Sequence, residues 1–557
     1  MPSFLMTWPE PVLYLAVALV LAGLAVLARK LWVPGQRQKQ AVVLGGLAVL
    51  CAGLGWVTNE VVSRPDYCHY DLRIEKKNNQ CVGISDGTYT FDKADNPGLD
   101  KVTRLIREEN AAAEKAKSTA TVAFMLPMTP DNGPERRQVL REVQGAYLAQ
   151  LHANHAAPLG SRTPSIRLVL ANPGRDYASW EKVTSRLHDM TDDSQSPLRA
   201  VTGFNLSVQN TEDALHALAA VDIPMVGGPI TADEMENVRT DGTQRFPGMA
   251  RTAPTNSDQA KALVDYNTGE KDTKREDAVL VVDIRPHDTY NSSLAKAFAK
   301  AVSPRTKPKE FESESPTEVG NVANQFAAMV DSVCNSRAKN IYFAGRPVHL
   351  RLFLLELAAR PCGKLEQTVI TGSGASTVSL YLTARDWKAL KDNPRITLQY
   401  SAVGHPQMWE KGDFGKTKEF YTSATRSPAQ VLRSIQGEAE RRGLSSGESD
   451  FWDDSRAMSA FDSVWLAANA LKETPPDANS RVPSLEGVRD QWRATYSTKG
   501  VPGVTGWFCM DNDGNPYNKA VAVVTLGKGK DDSTIRFEGM GWPGESPSRD
   551  CEVPKDG

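Results

Sequence analysis

The sequence predicts an α/β protein of two lobes, preceded by a two-helix hairpin that crosses the membrane. Short runs of β-branched and apolar residues alternate with amphipathic stretches of helical length, a pattern typical of parallel sheets built from right-handed crossover units. The alternation occurs in two sets, which the charged segment 267–277 separates. Two apolar runs without Asp, Glu, Lys or Arg precede both sets, at residues 11–28 and 41–57.

The two apolar runs predict a membrane anchor. Each is close to the lower limit of about 17 to 20 residues that a helix needs to cross a bilayer. The loop between them contains no acid and four basic residues, Arg29, Lys30, Arg37 and Lys39. Because basic loops stay in the cytoplasm, we expect a multi-pass protein of the cell membrane with two helices, whose termini and main domain are extracytoplasmic. A cleavable signal peptide is the alternative, but no basic residue precedes the first run.

The balance of charge argues against nucleic acid as a partner. The chain has 65 Lys and Arg against 67 Asp and Glu, which gives a formal net charge of −2. Proteins that bind polyanions usually carry a strongly basic domain or face. We therefore predict no nucleic-acid partner.

Six of the seven cysteines predict disulfides. Cys51 lies within the second apolar run, and the other six fall into local pairs, which are Cys68 with Cys81, Cys334 with Cys362, and Cys509 with Cys551. An extracytoplasmic compartment favours such bonds, although the sequence alone leaves other pairings open. None of these cysteines has the close spacing of a zinc site. We predict no metal site, and no motif indicates a cofactor.

The two sets of alternating segments predict two sheets. In the first set, strands are predicted at residues 121–129, 166–172, 198–204 and 223–228. Helices follow them at residues 135–155, 177–190, 211–220 and 231–238. In the second set, strands are predicted at residues 278–284, 340–345, 367–372 and 396–403. A helix at 457–472, with apolar residues three and four positions apart, ends the series.

Four segments resemble the type I periplasmic binding protein fold, and within it the branched-chain amino acid (Leu/Ile/Val) binding family of ABC transporter receptors. FPGMARTAPTNSDQAKALVDY (246–266) is similar to the crossover into the second lobe, and IPMVGGPITADEM (223–235) to the fourth strand and its loop. FDSVWLAANAL (461–471) and VTGWFCMDNDGNPYNKAVAVV (504–524) are similar to the C-terminal helix and the last hairpin. The resemblance implies a membrane-anchored bacterial variant of this family.

The predicted domain boundaries follow from this resemblance and from the order of elements. The first lobe comprises 119–272 and 404–505, and the second comprises 273–403 and 506–530. Residues 58–118 form a disulfide-containing juxtamembrane segment with a charged helical spacer at 97–117. A C-terminal tail at 531–557 completes the chain.

The resemblance also implies a ligand-binding cleft between the lobes. By position, the family's ligand contacts fall on Ser207, Pro229, Ile230, Thr231, Tyr290, Arg346 and Gly374. Amino acid binders hold the ligand carboxylate with backbone N–H groups where this chain has Pro229, which has no N–H. They neutralise the ligand ammonium with an acidic residue where this chain has Gly374. These departures favour a small polar ligand other than an α-amino acid.

Thr231 has two interpretations that the sequence leaves open. It could contact the ligand, as the resemblance implies. It could also be the N-cap of a short helix, because Glu234 follows at the spacing of a capping box.

The sequence therefore predicts a membrane-anchored extracytoplasmic solute-binding protein whose lobes close on a small polar ligand, for ABC-type transport or ligand sensing. An ABC permease or a membrane sensor is the partner that this function implies. The alternative is a cell-surface interaction or structural module that keeps the fold without binding small molecules. We predict no enzymatic activity, because the Gly-x-Ser-x-Gly motif at 443–447 lacks the strand and helix that a nucleophile elbow requires.

The DNDG motif at residues 511–514 predicts a turn. A calcium loop that starts at Asp511 would need glycine at its sixth position and glutamate at its twelfth, where Pro516 and Ala522 stand. We therefore predict that Asp513 and Gly514 form the turn of a β-hairpin.

Overall fold

The computed structural model describes residues 68, 74–156, 162–237, 244–271, 278–360, 362–424, 426–445, 451–478, 480–527, 535–544 and 551–553. The predicted membrane helices at 11–28 and 41–57 lie outside these residues. No helix in the described part of the chain is long and apolar enough to span a membrane. The 23-residue helix Gly133–His155, for example, carries three arginines and two glutamates. The described residues therefore do not support the predicted localisation as a two-span membrane protein, and we do not retain it.

The strands are numbered in chain order: β1 (Ile74–Lys77), β2 (Gln80–Ser85), β3 (Thr119–Met125), β4 (Ser165–Asn172), β5 (Leu198–Gly203), β6 (Met225–Gly227), β7 (Met249–Arg251), β8 (Val279–Asp283), β9 (Lys309–Phe311), β10 (Asn340–Ala344), β11 (Gln367–Thr371), β12 (Ile396–Ala402), β13 (Val501–Pro502), β14 (Trp507–Phe508), β15 (Val521–Leu526) and β16 (Ile535–Gly541).

The α-helices are α1 (Pro97–Ala113), α2 (Gly133–His155), α3 (Trp180–Asp189), α4 (Gln209–Ala219), α5 (Asn256–Lys271), α6 (Thr289–Val302), α7 (Val322–Ser336), α8 (Pro347–Ala358), α9 (Val378–Tyr381), α10 (Ala384–Lys391), α11 (Met408–Lys411), α12 (Lys418–Thr422), α13 (Pro428–Arg441), α14 (Arg456–Glu473) and α15 (Leu485–Gln491).

The chain divides into two units, residues 1–85 and 86–557. The described part of the first unit contains an antiparallel hairpin of β1 and β2. Asn78 and Asn79 join the strands with φ angles of 50° and 60°, the backbone that a tight hairpin turn requires. A disulfide joins Cys68 to Cys81 on β2.

The second unit contains two large sheets. One has the order β4-β3-β5-β6-β7, and its strands are parallel. Helix α14 packs on α2 and on β3, β5 and β6 of this sheet, and its residues from Arg456 to Lys472 are buried. A helix that is buried all round is typical of the middle of a core.

The other sheet has the order β16-β15-β12-β11-β10-β8-β9. Strands β9, β8, β10, β11 and β12 are parallel, while β15 and β16 are antiparallel to their neighbours. Helix α5 packs on this sheet, because its residues Ala260, Leu263 and Val264 share a core with Leu280 of β8. We propose that the boundary between the lobes falls before α5 rather than at residue 272.

The eight predicted strands all form, and each begins within two residues of its predicted position. The predicted tail at 531–557, however, contains β16, which pairs with β15. Its residues Ile535 and Phe537 are buried and Arg536 is exposed, so the alternation typical of a strand was present in the sequence.

The predicted spacer at 97–117 also differs from the structure. Helix α1 buries one face, which includes Leu99, Val102 and Ile106. Asn110 exchanges hydrogen bonds with the backbone of Leu168 on β4, at 2.7 and 2.8 Å. The charged residues of α1 are its solvent face, and its apolar face belongs to the core.

The DNDG motif forms the predicted turn, and an antiparallel bridge between Met510 and Pro516 closes it, although the longer strands on either side do not pair with each other. The Asp511 carboxylate accepts hydrogen bonds from the backbone N–H groups of Asp513 and Asn515, at 2.9 and 2.8 Å. The strands on either side separate, because β14 pairs with β13 and β15 pairs with β12 and β16. Gly514 accepts a hydrogen bond from the backbone N–H of Arg251 on β7. The turn therefore lies where the chain passes between the two sheets.

Two further disulfides join Cys334 to Cys362 and Cys509 to Cys551. The first connects the end of α7 to the segment after α8. All three pairs in the structure are those that the sequence predicted from proximity along the chain.

The contact between α2 and α14 gives a direct test of the fold. A side chain at Gly145 would overlap the carbonyl oxygen of Ala457, so we expect Gly145→Ala to lower the free energy of unfolding by about 1 to 3 kcal/mol in urea titrations. The matched control is Gly437→Ala on α13, where the added methyl group meets only the end of Arg441 at 3.6 Å. That change should stabilise the helix by up to about 1 kcal/mol. Equal effects of the two substitutions would contradict the packing described.

Candidate functional site

A cleft lies where the carboxyl ends of strands from both sheets meet. Open α/β sheets bind their ligands at this edge. The cleft contains two adjoining cavities of about 390 and 710 Å³, volumes that include space open to solvent. Four residues line both cavities: Asn205, Arg346, Gly374 and Arg456.

The two cavities differ in lining. The serine-lined cavity is the smaller one, and five serines contribute to it: Ser207, Ser373, Ser376, Ser455 and Ser459. The proline-lined cavity is larger and has a more apolar wall, to which these residues contribute: Pro127, Pro130, Val139, Leu206, Pro316 and Pro347.

Five of the seven predicted contacts line the serine-lined cavity: Ser207, Pro229, Tyr290, Arg346 and Gly374. Ile230 and Thr231 do not line either cavity and are 0% and 1% exposed. The structure thus brings most of the predicted residues together, from the ends of β5, β6, β8, β10 and β11. Their role as ligand contacts stays a prediction.

Thr231 is not the N-cap that the capping-box pattern predicted. The short 3-10 helix after it spans Asp233–Met235 and is preceded by Ala232. The Thr231 hydroxyl is buried and has no hydrogen-bond partner among the described residues. The Asp233 carboxylate accepts a hydrogen bond from the backbone of Ser257 at 3.0 Å, so it contacts the start of a different helix, α5.

Arg346 lies at the centre of the cleft in a buried ion pair. Its guanidinium donates to both carboxylate oxygens of Asp288, at 3.0 and 2.7 Å, and to the backbone oxygen of Ser207, at 2.9 Å. Asp288 also caps α6 by accepting from the backbone N–H of Asn291. The charge of Arg346 is therefore neutralised, and its role is to hold loops of both sheets in place.

Tyr290 packs against this ion pair. The Arg346 guanidinium lies 4.7 Å from the centre of its ring, a cation–π contact. The Tyr290 hydroxyl accepts a hydrogen bond from the backbone N–H of Gly374 at 3.0 Å. A Cβ at Gly374 would lie 2.7 Å from that oxygen. Glycine is therefore required at this position by the close approach of Tyr290.

Arg456 is the site residue that the sequence did not reveal. It is the first residue of α14, lines both cavities and is 9% exposed. Its backbone N–H donates to Asp454 at 2.9 Å. Ser455, just before the helix, has a φ of 65°, and its hydroxyl donates to the backbone of Gly404 at 2.6 Å. The DSR sequence before the predicted helix gave no sign that Arg456 faces a cleft.

A buried group of charged residues lies beside Arg456. Arg141 donates to the Asp454 carboxylate at 2.6 Å. Glu142 accepts from the side-chain amide of Asn205 at 2.8 Å, and its other oxygen is 3.4 Å from a terminal nitrogen of Arg456. Burial raises the pKa of Glu142 to about 7, against the lowering effect of Arg456. The link between α2 and α14 at the cleft is therefore ionic and sensitive to pH.

The proline-lined cavity contains another acid, Glu135. Burial raises the pKa of Glu135 to about 7. The Tyr381 hydroxyl donates to its carboxylate at 3.4 Å, a contact between a helix of the first sheet and a helix of the second. No group of histidine, cysteine and acidic residues that could hold a metal ion occurs in the part of the chain that the structure describes.

No protein-family model and no curated protein matches the sequence. The fold, in contrast, matches that of many solved structures. A leucine binding protein from Thermotoga maritima is 15% identical with a TM-score of 0.52, over 76% of this chain and 99% of that protein. A branched-chain amino acid transporter substrate binding protein from Streptococcus pneumoniae, in complex with isoleucine, is 17% identical with a TM-score of 0.51, over 76% and 100%.

A third similar structure is an ABC transporter solute binding protein from R. palustris in complex with 4-hydroxybenzoate. It is 12% identical with a TM-score of 0.51, over 77% of this chain and 98% of that protein. These matches confirm the type I periplasmic binding protein fold that the sequence predicted.

Glu142 provides a test of the charged group. A carboxyl that titrates near 7 in the folded protein and near 4.5 when unfolded binds more protons in the folded state at intermediate pH. The free energy of unfolding therefore falls as pH rises from about 4.5 to 7, by about 3 kcal/mol from this residue. We expect Glu142→Gln to remove that part of the slope in urea titrations across this range. Parallel pH profiles of the two proteins would contradict the assignment.

Proposed function

We propose that this protein is a solute-binding protein that holds a small polar ligand in the cleft between its two lobes. The observation that carries this proposal is the pair of adjoining cavities at the carboxyl ends of both sheets, lined by buried polar side chains. A module that had kept the fold for structural reasons alone would have no need to hold Arg456, whose Nε–H is unpaired among the described residues, out of water beside a cavity, because burying a charged group without a partner is costly.

The ligands of the similar structures support a small-molecule site. The proteins with this fold from T. maritima, S. pneumoniae and R. palustris are a leucine binding protein, an isoleucine complex and a 4-hydroxybenzoate complex. They favour a small organic molecule as the ligand of this chain. We propose that Ser207, Pro229, Tyr290, Arg346 and Gly374 line the bound ligand, and that Ile230 and Thr231 support the loop behind it.

Contacts between the two lobes support closure around the ligand. The backbone oxygen of Ser207, after β5, accepts from Arg346 and from the backbone N–H of Tyr290, at 2.9 and 3.1 Å. Asp233, before β7, and Ser293, on α6, are joined by hydrogen bonds of 2.8 and 3.0 Å. We propose that these contacts form when the lobes close and that closure sequesters the ligand from water.

The proposed role in the cell is delivery to an ABC permease or signalling to a membrane partner. The three disulfides are typical of a protein that works in an oxidising compartment. The resemblance to transporter receptors favours delivery.

Ligand-induced stabilisation of the full chain tests the binding function. A ligand at a hundredfold excess over its dissociation constant should add about 2.7 kcal/mol to the free energy of unfolding, which thermal shift measurements with pools of amino acids, organic acids, sugars and peptides would detect. If no pool shifts the transition, the alternative of a surface interaction module replaces the binding function.

A substitution at Gly374 then tests the location of the site. The methyl group in Gly374→Ala would crowd the Tyr290 hydroxyl and narrow the cavity, so we expect the dissociation constant for the stabilising ligand to rise at least about tenfold, the equivalent of 1.4 kcal/mol. Isothermal titration calorimetry measures this constant. The matched control is Gly363→Ala, at an exposed glycine where a Cβ meets only a backbone oxygen at 3.9 Å. Equal affinities of the two variants would place the ligand elsewhere.

A further inference from the structure

Arg456 lies at the junction of the two cavities, and one donor of its guanidinium is unpaired among the described residues. Arg456 lines both cavities and is 9% exposed. Its Nε–H is buried and has no hydrogen-bond partner among the described residues. A terminal nitrogen of its guanidinium lies 3.4 Å from a carboxylate oxygen of Glu142, which is a long hydrogen bond. A buried donor of a charged group that lacks a partner is costly, so the unpaired Nε–H indicates a missing acceptor.

The other arginines in or beside the cleft are already paired. Arg175, which lines the proline-lined cavity, contacts the carboxylates of Asp131 and Glu318. Arg346 is held by both oxygens of Asp288 and by the backbone of Ser207. Arg141 is 1% exposed and pairs with Asp454 at 2.6 Å. Arg456 thus differs from these arginines in that it lines both cavities and has an unpaired side-chain donor.

The serine-lined cavity offers no free acid for a cationic group. The acid that lines it is Asp454. One of its carboxylate oxygens accepts from Arg141, and the other accepts from the backbone N–H of Arg456. An ammonium group there would lose its water without gaining a carboxylate. The hydroxyl groups of Ser373, Ser376 and Ser459, in contrast, can donate to an anion.

The proline-lined cavity suits an apolar group with no second negative charge. Its wall includes Pro127, Val139 and Leu206, and it also contains the acids Glu135 and Asp176. A second carboxylate placed there would face these acids and be repelled. Asn205, which lines both cavities, has a buried side-chain oxygen without a partner among the described residues. A hydroxyl group on the ligand would satisfy it.

We propose, on the basis of the binding function proposed above, that the ligand is a small monocarboxylic acid without an ammonium group. Its carboxylate accepts hydrogen bonds from the Nε edge of Arg456 and from the serine hydroxyls. Its apolar body lies against the wall of the proline-lined cavity. Arginine suits this role because its planar fork matches the two oxygens of a carboxylate.

Matched compounds test the charge of the ligand head group. The probes are 4-methylpentanoate with its carboxamide and with leucine, and 4-hydroxybenzoate with its carboxamide, titrated into the full chain by calorimetry. The carboxylate of at least one series should bind, and its carboxamide should bind at least about tenfold more weakly, because a hydrogen bond between charged groups is worth more than one between neutral groups. Leucine should also bind more weakly than 4-methylpentanoate, since the carboxylate of Asp454 beside the serine hydroxyls is already engaged by Arg141 and by the backbone of Arg456.

Substitution of Arg456 tests the residue. Arg456→Gln should weaken binding of the carboxylate at least about tenfold and leave that of the carboxamide within about twofold, because only the charged pair is lost. The matched control is Arg441→Gln on α13, where the arginine side chain is 68% exposed and should not affect binding. Should Arg456→Gln fail to fold, the comparison of carboxylate and carboxamide on the unaltered protein still decides the question.

The outcomes separate the two proposals. Equal or tighter binding of the carboxamides or of leucine, or an unchanged affinity of Arg456→Gln for the carboxylate, would overturn the assignment of a carboxylate ligand and leave the binding function in place. Absence of binding by all five probes would overturn the assignment. Absence of any shift with the broader pools of metabolites as well would overturn the binding function itself.

Discussion

The buried ion pair between Arg346 and Asp288 is the interaction on which the cleft depends. It fixes the loop after β10 to the start of α6 within the second sheet, and through the backbone of Ser207 it reaches the first sheet. Two buried charges are stable only when each is paired and hydrogen-bonded, so neither residue can change alone. Tyr290 packs on this pair, and Gly374 is a glycine because Tyr290 approaches it closely. One ion pair therefore determines the shape of the cavity wall.

The role of Gly374 changes how the departure from amino acid binders is understood. From sequence, a glycine at the position of an acid looks like the loss of a ligand contact. In the structure the space is taken by the Tyr290 hydroxyl, which accepts from the Gly374 backbone. The charge that the site offers instead comes from α14, at Arg456, beside an Asp454 and a Glu142 that other residues engage. We propose that Arg456 is the charged group that this cleft offers to a ligand.

Local patterns predicted the parts of the fold that local physics determines. Buried parallel strands are short, apolar and β-branched, so their positions could be inferred from the sequence, as could the turn at Asp511 and the close cysteine pairs. The cleft could not be inferred to the same extent. Arg141 and Asp454 are 313 residues apart, and no periodicity connects them. Thr231 fits a capping box in sequence, yet its hydroxyl has no partner among the described residues. The Asp233 carboxylate contacts the start of α5, which lies beside it only in space.

A crystal structure of the full chain with 4-hydroxybenzoate or 4-methylpentanoate would show most directly whether the carboxylate of the ligand binds at Arg456. We expect the ligand to lie between the two lobes. A carboxylate oxygen should be within hydrogen-bond distance of the Arg456 Nε, and the apolar body should lie toward Pro127 and Leu206. A ligand bound outside the cleft, or one whose apolar end meets Arg456, would contradict this binding mode.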